Sequence, residues 1–156
     1  MTGLFLEPGV IGATAHFGAK ASLVATVLAA VLFTIGWRLA VRKHYVAHRW
    51  VQTGAACLNA IPVLAWMIRS FVVYLLPGLP GKLGQGSYAL ATVHAIVGAI
   101  GLVLGVFVVL RGNELVPKRL RFANYKPFMR VSYSLYMLAT LLGVILYIVT
   151  YGLSFK

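Results

Sequence analysis

The stretch YALATVHAIVGAIGLVLGVFVVL, residues 88–110, decides the fold class of this chain. It contains no Asp, Glu, Lys or Arg, and a helix of roughly 20 apolar residues is long enough to cross the hydrocarbon core of a bilayer. Three further stretches have a similar length and character, at residues 21–41, 51–76 and 131–151. We therefore predict an all-α fold, a four-helix transmembrane bundle that forms a single domain over residues 1–156.

The composition supports a membrane protein over a soluble one. Hydrophobic residues make up 61% of the chain and charged residues only 10%, whereas about a quarter of the residues in a typical soluble domain are charged. The net charge of +12 would suit a nucleic-acid-binding protein, but the basic residues lie close to the ends of the apolar stretches, as membrane topology requires. We therefore expect no nucleic-acid partner. The single cysteine, Cys57, excludes a disulfide within one chain.

The distribution of basic residues predicts the orientation in the membrane. Two connections, after the first and the third apolar stretch, carry Arg38, Arg42, Lys43, Arg49, Arg111, Lys118, Arg119, Arg121, Lys126 and Arg130. The positive-inside rule places these basic loops on the cytoplasmic side, with both termini outside, and we expect anionic lipids to bind there. The other loop, LPGLPGKLGQGS at 76–87, reads as a tight non-helical turn on the outside. The expected location is a bacterial inner membrane.

The segment KHYVAHRW, residues 43–50, contains two histidines four residues apart. His44 and His48 would share one helical face, a spacing that can serve a metal ion. Zinc needs three or four ligands, however, and the neighbouring cations oppose another positive ion. We interpret the segment as a basic interfacial anchor, with Tyr45 and Trp50 at the level of the lipid headgroups. His48 as a metal or haem ligand remains the alternative.

Arg69 and His94 are candidate site residues because a charge within the membrane is costly and polar groups there are usually functional. At a rise of 1.5 Å per residue, Arg69 lies roughly 10 Å below the end of its helix at Leu76, and His94 has a similar depth. We expect the two side chains to face each other across the second and third helices. Arg69 could instead extend to lipid phosphates or contact a partner subunit. Asn59 and Pro62 predict an interhelical hydrogen bond and a kink.

A stripe of glycines follows His94 along the third helix. Gly98, Gly101 and Gly105 come four, seven and eleven residues after His94, so all four residues share one face. Such a groove could admit the edge of a haem, with Arg69 on a propionate, or it could admit another helix. His48 lies too far from His94 to share its iron. His16 is the second axial ligand that the outer side offers. A five-coordinate haem b, or a chlorophyll-type magnesium ion, would need His94 alone as its metal ligand.

Three segments resemble the family of small helical membrane proteins catalogued as domain of unknown function 420. They are HRWVQTGAACLNAIPVLAWMIRSFVVY (48–74), LATVHAIVGAIGLVLGVFVVL (90–110) and RVSYSLYMLATLLGVILYIVTY (130–151). In that family a His-Arg pair opens one helix, a Thr-x-His or Thr-His step opens the next, and a Thr-Gly-Val-x-x-Tyr-like element closes the last. The corresponding residues here are His48 with Arg49, His94, and LLGVILY at 141–147.

The resemblance implies a haem or metal site, since the family has four histidines and some relatives are associated with the maturation of haem-copper oxidases. This chain has no histidine at 74–77 or at 118–126, so two of the four implied ligands are missing.

The sequence does not indicate an enzyme, because the apolar stretches contain no carboxylate and no nucleophile stands beside a base. We therefore expect a mainly structural accessory subunit of a respiratory or photosynthetic electron-transfer complex, with other membrane subunits as partners. The alternative is a haem-binding or haem-handling protein with its site at His94 and Arg69.

Overall fold

All regular structure in the described part of the chain is helical. The computed structural model describes residues 10–121 and 123–151, with side chains from residue 17 onward except that of Pro80. Its long helices are α1 (Val10–Val41), α2 (Tyr45–Pro62), α3 (Gly86–Gly112) and α4 (Lys126–Tyr151). The segments long and apolar enough to cross a membrane are Phe17–Val41, Tyr45–Gly78, Gly86–Gly112 and Lys126–Tyr151. The prediction of an all-α fold with four potential spans is confirmed.

The second span is the irregular one. After α2 ends at Pro62, the chain continues as a π-helical segment (Val63–Met67), a short α-helical turn (Ile68–Ser70) and a second π-helical segment (Phe71–Leu75). Proline has no N–H to donate within a helix, and departures from regular α-helix commonly occur beside it. The helix therefore departs from regular α-helical geometry directly after Pro62, where widened π turns begin at the next residue.

The loop at 76–87 is more helical than predicted. Leu76–Gly78 forms a 3₁₀ turn and Leu79–Lys82 a short α-helix, and only a few residues then separate this helix from α3. Pro77 and Pro80 both lie in the first turn of their helical segments, where the missing N–H costs no hydrogen bond. The prediction of a non-helical turn was therefore wrong for residues 76–82.

Two helices end in the same capping geometry. At the end of α1, the N–H of His44 donates to the carbonyl of Leu39, and that of Lys43 donates to Ala40. At the end of α3, the N–H groups of Leu115 and Glu114 donate in the same way to Leu110 and Arg111. This is the Schellman pattern, in which the residue after the helix adopts a left-handed conformation and is usually glycine. Here Lys43 (φ 63°) and Glu114 (φ 61°) occupy that position.

The helices pack as neighbouring pairs. α1 lies chiefly against α2, and α3 chiefly against α4, while α1 with α4 and α2 with α3 make the remaining contacts of the bundle. The buried positions are mostly small or polar, among them Ser22, Thr26, Ala29, Ala55, Gly101, Ser132 and Ala139. Small residues let membrane helices approach closely, which matters in lipid because no hydrophobic force drives apolar helices together there. Large apolar side chains such as Val103 (69% exposed) face outward.

The two strongly basic connections lie at the same end of the bundle. The side-chain amide of Asn113, just after α3, donates to the hydroxyl of Thr53 in the early part of α2 at 2.9 Å. This hydrogen bond joins the α3–α4 connection to the N-terminal half of α2, which follows the α1–α2 turn, as expected for neighbouring antiparallel helices. We call this region the basic end.

Candidate functional site

His94 is held between α3 and α4. Its Nδ1 lies 3.0 Å from the carbonyl oxygen of Ala139, and since a carbonyl can only accept, Nδ1 carries the proton and donates. The ring also rests against Gly143, where an added Cβ would lie 3.1 Å from the ring carbon Cε1. Protonation at Nδ1 leaves Nε2 of the neutral ring with a free lone pair. A histidine that ligates a metal commonly has this arrangement, with its other nitrogen donating to a backbone carbonyl.

The glycine stripe is largely occupied by α4. A Cβ added at Gly101 would meet Cβ of Leu135 at 3.4 Å, and one added at Gly105 would meet the hydroxyl of Ser132 at the same distance. Gly98 differs, because nothing lies within 4 Å of an added Cβ there. Of the two uses expected for the stripe, the structure has helix packing at Gly101 and Gly105, while Gly98 borders open space.

Arg69 is exposed on the second span, whereas His94 is half-buried and contacts α4. In an uninterrupted α-helix of 3.6 residues per turn, Arg69 would come nearly two full turns after the buried Pro62 and would point into the bundle. A π turn contains an additional residue, which rotates the following side chains by about 100°. The π segment Val63–Met67 lies between these two residues, and the exposure of Arg69 is consistent with such a rotation.

His48 fixes α2 to α1 at the basic end. Its Nδ1 donates to the carbonyl oxygen of Gly36 at 2.7 Å, and the amide of Gln52, one turn later, donates to the carbonyl of Phe33 at 3.3 Å. His44 is the exposed N-cap residue of α2, whereas His48 lies in the first turn of that helix. Most of the segment 43–50 is therefore helical, because α2 begins at Tyr45. Tyr45 and Trp50 are exposed there, at 63% and 64%.

The predicted second ligand, His16, lies in α1, but its side chain is outside the part of the chain whose side chains are described. Within the described residues, no group of three or more His, Cys, Asp or Glu side chains is close enough to hold a metal ion. His48 and His94 also have separate partners, one on α1 and the other on α4.

A buried polar junction joins three helices and was only partly predicted. The hydroxyl of Tyr136 on α4 lies 3.0 Å from Oδ1 of Asn59 on α2 and 3.1 Å from the carbonyl oxygen of Thr26 on α1, and these two acceptors share its single proton. The predicted interhelical hydrogen bond of Asn59 is therefore confirmed. Tyr136 was missed, although a tyrosine in the middle of an apolar stretch is a usable signal because a buried hydroxyl needs a partner.

Two arginines of the basic end, Arg111 and Arg121, contact other residues of the same end. Arg121 donates to the carbonyl oxygens of Val116, at 2.7 Å, and of Glu114, which holds the α3–α4 connection in a compact form. The guanidinium of Arg111 lies over the ring of Tyr125, 5.0 Å from its centre. Lys118, Arg119, Lys126 and Arg130 remain exposed. This surface is a concentrated positive region next to the apolar spans.

No protein-family model, curated protein or solved structure matches this chain in the comparisons with known proteins.

Proposed function

We propose that this protein is a small, mainly structural subunit of a larger membrane complex. The observation that carries the proposal is the packing of Gly101 and Gly105 against Leu135 and Ser132, because α4 fills the groove that a cofactor would need. His48 and Tyr136 also make hydrogen bonds between helices. Polar side chains that connect helices favour a structural role over a catalytic or cofactor-binding one.

The positive-inside rule extends the proposal to location. We infer a bacterial inner membrane with the basic end in the cytoplasm, where its exposed cations meet anionic lipid. Glu114 is the only acidic residue among the described ones, so little opposes this attraction. We expect the larger complex to be a respiratory or photosynthetic electron-transfer assembly.

Haem binding at His94 is the second candidate function, and the hydrogen bond to Ala139 favours it. That bond sets the tautomer in which Nε2 can act as an axial ligand. The open space beside Gly98, one turn from His94, is the part of the stripe that α4 leaves free. Arg69, the other residue predicted for this site, is exposed on the second span.

The two functions are separated by a reduced-minus-oxidised absorption spectrum of the gently purified protein, with an organic extract to detect pigments and quinones. The structural proposal predicts no b-type band. A band that disappears in His94→Ala would establish the haem function instead. His48→Ala is the matched control. It also loses a hydrogen bond from Nδ1 to a backbone carbonyl, but that bond joins α2 to Gly36 of α1, away from His94.

A further inference from the structure

Arg69 stands on an otherwise apolar outer face of the second span. The exposed side chains around it are Ala65, Ile68, Val72, Val73 and Leu76. The turn that carries it, Ile68–Ser70, is bounded on both sides by π-helical segments. Such segments are rare and occur frequently at functional sites. The helix is therefore irregular at the place where a cation is turned outward.

The described part of the chain offers Arg69 no counter-charge. The whole sequence has two acidic residues, Glu7 and Glu114. Glu114 lies in the α3–α4 connection at the basic end, whereas Arg69 belongs to the half of the span that leads toward Gly78, at the opposite end. Glu7 lies outside the described residues. An arginine inside a bilayer is costly and normally pairs with another group or lines a polar pathway.

We propose that this face docks a transmembrane helix of a partner subunit that carries an Asp or Glu at the depth of Arg69. The guanidinium matches a carboxylate with two parallel hydrogen bonds, and this pairing is strong where water is excluded. Ala65, one turn away, leaves room for the partner backbone to approach closely. The proposal rests on the proposed function as a subunit, to which it adds the chemistry of the partner.

The test uses the full chain in phosphatidylcholine vesicles and a synthetic polyleucine transmembrane peptide as the probe. The peptide carries a single Glu about 10 Å from one end of its apolar stretch, the depth estimated for Arg69. A second peptide has Gln at the same place. Cys57 is the only cysteine and is exposed, so a fluorophore attached there reports association by energy transfer to the labelled peptide.

The expected result is about tenfold tighter association of the Glu peptide than of the Gln peptide, which corresponds to about 1.4 kcal/mol. Arg69→Gln abolishes this preference, and Arg69→Lys keeps part of it because lysine lacks the planar fork of donors. Arg130→Gln is the matched control, with the same loss of charge at an exposed arginine of the basic end, and it leaves the preference unchanged.

Equal association of the two peptides with the wild-type chain overturns the proposal, and so does a preference that survives in Arg69→Gln. A preference that emerges only in Glu7→Gln also overturns it, since the chain's own N-terminal segment would then occupy Arg69. A protein that runs alone in native membranes, yet prefers the Glu peptide through Arg69, contradicts the proposed function and not this surface. The reverse result is a protein that belongs to a native complex but does not prefer the Glu peptide. It contradicts only the proposed docking face around Arg69.

Discussion

The imidazole of His94 is joined to Ala139 of the facing helix by a hydrogen bond of 3.0 Å from Nδ1 to the carbonyl oxygen. The same ring packs on Gly143, one turn further along α4. His94 thus acts as a connection between α3 and α4, whatever its free Nε2 binds.

Gly143→Ala is expected to destabilise the bundle by about 1 kcal/mol, because the new methyl group crowds the ring of His94. Equilibrium unfolding in detergent measures the effect. Gly98→Ala is the control, since an added methyl group meets nothing within 4 Å there. In a His94→Ala background the penalty of Gly143→Ala should vanish, as a double-mutant cycle reveals. The same penalty in both backgrounds would show that the contact with His94 is not its cause.

Tyr136→Phe is expected to cost about 1 kcal/mol of stability, because it removes the hydroxyl that joins Asn59 and Thr26 across three helices. Tyr133→Phe serves as the comparison. Its hydroxyl is bonded to Thr34, which keeps a second bond to the carbonyl of Ala30, so its loss should cost less. A larger effect of Tyr133→Phe than of Tyr136→Phe in the same unfolding assay would argue against the central junction.

Gly18→Ala is expected to destabilise the contact between α1 and the second span by about 1 to 3 kcal/mol. The methyl group would overlap the rigid indole of Trp66, with ring atom Cζ3 only 2.7 Å away. Gly54→Ala, in open space on α2, should be neutral or stabilising because alanine favours helix. Thermal denaturation of both variants measures the difference, and a Gly18→Ala protein as stable as Gly54→Ala would refute the close approach.

Lys43→Gly is expected to stabilise the protein by about 0.5 to 1 kcal/mol relative to Lys43→Ala. Both variants lose the same charge, but only glycine adopts the left-handed conformation of Lys43 (φ 63°) without steric cost. Unfolding of the two variants side by side isolates the backbone effect. Equal stability would mean that the turn after α1 is not held in the Schellman geometry.

The orientation proposed for the bundle predicts which loops a membrane-impermeant thiol reagent reaches. In a Cys57→Ser background, a cysteine placed at Gln85 should be labelled from outside the cell. One placed at Asn124, in the α3–α4 connection, should react only after the membrane is opened. The opposite labelling pattern would contradict the proposed orientation.

Neutralising Arg42, Lys43 and Arg49 together should weaken the preference of the chain for this orientation, since the positive-inside rule attributes that preference to such cations.

Hydropathy was sufficient to predict the four spans, because the length of an apolar stretch directly measures its ability to cross a bilayer. Their ends were predicted less well. The second span begins at Tyr45 instead of residue 51, since the tight turn at Lys43 lets the helix restart at once. Lysine rarely adopts the left-handed backbone conformation that Lys43 has here, so the sequence alone could not predict this turn.

The candidate site was harder to predict because it depends on helix register. The prediction that Arg69 and His94 face each other assumed a regular α-helix, whereas π-helical segments flank the turn that carries Arg69. The partner of His94 is a backbone carbonyl 45 residues away, which no spacing rule identifies. Asn59 was recognisable in advance, since an amide in an apolar span almost always needs a hydrogen-bond partner from another helix.

The native mass of the protein tests the central claim most directly. A tagged chain would be extracted from its own membranes in mild detergent and weighed by native mass spectrometry with the bound lipids stripped off. We predict a complex that contains this 16.9 kDa chain together with at least one other membrane protein in a fixed ratio. A chain that is released alone, or only with copies of itself, under conditions that preserve known complexes of the same membrane would contradict the role as a subunit.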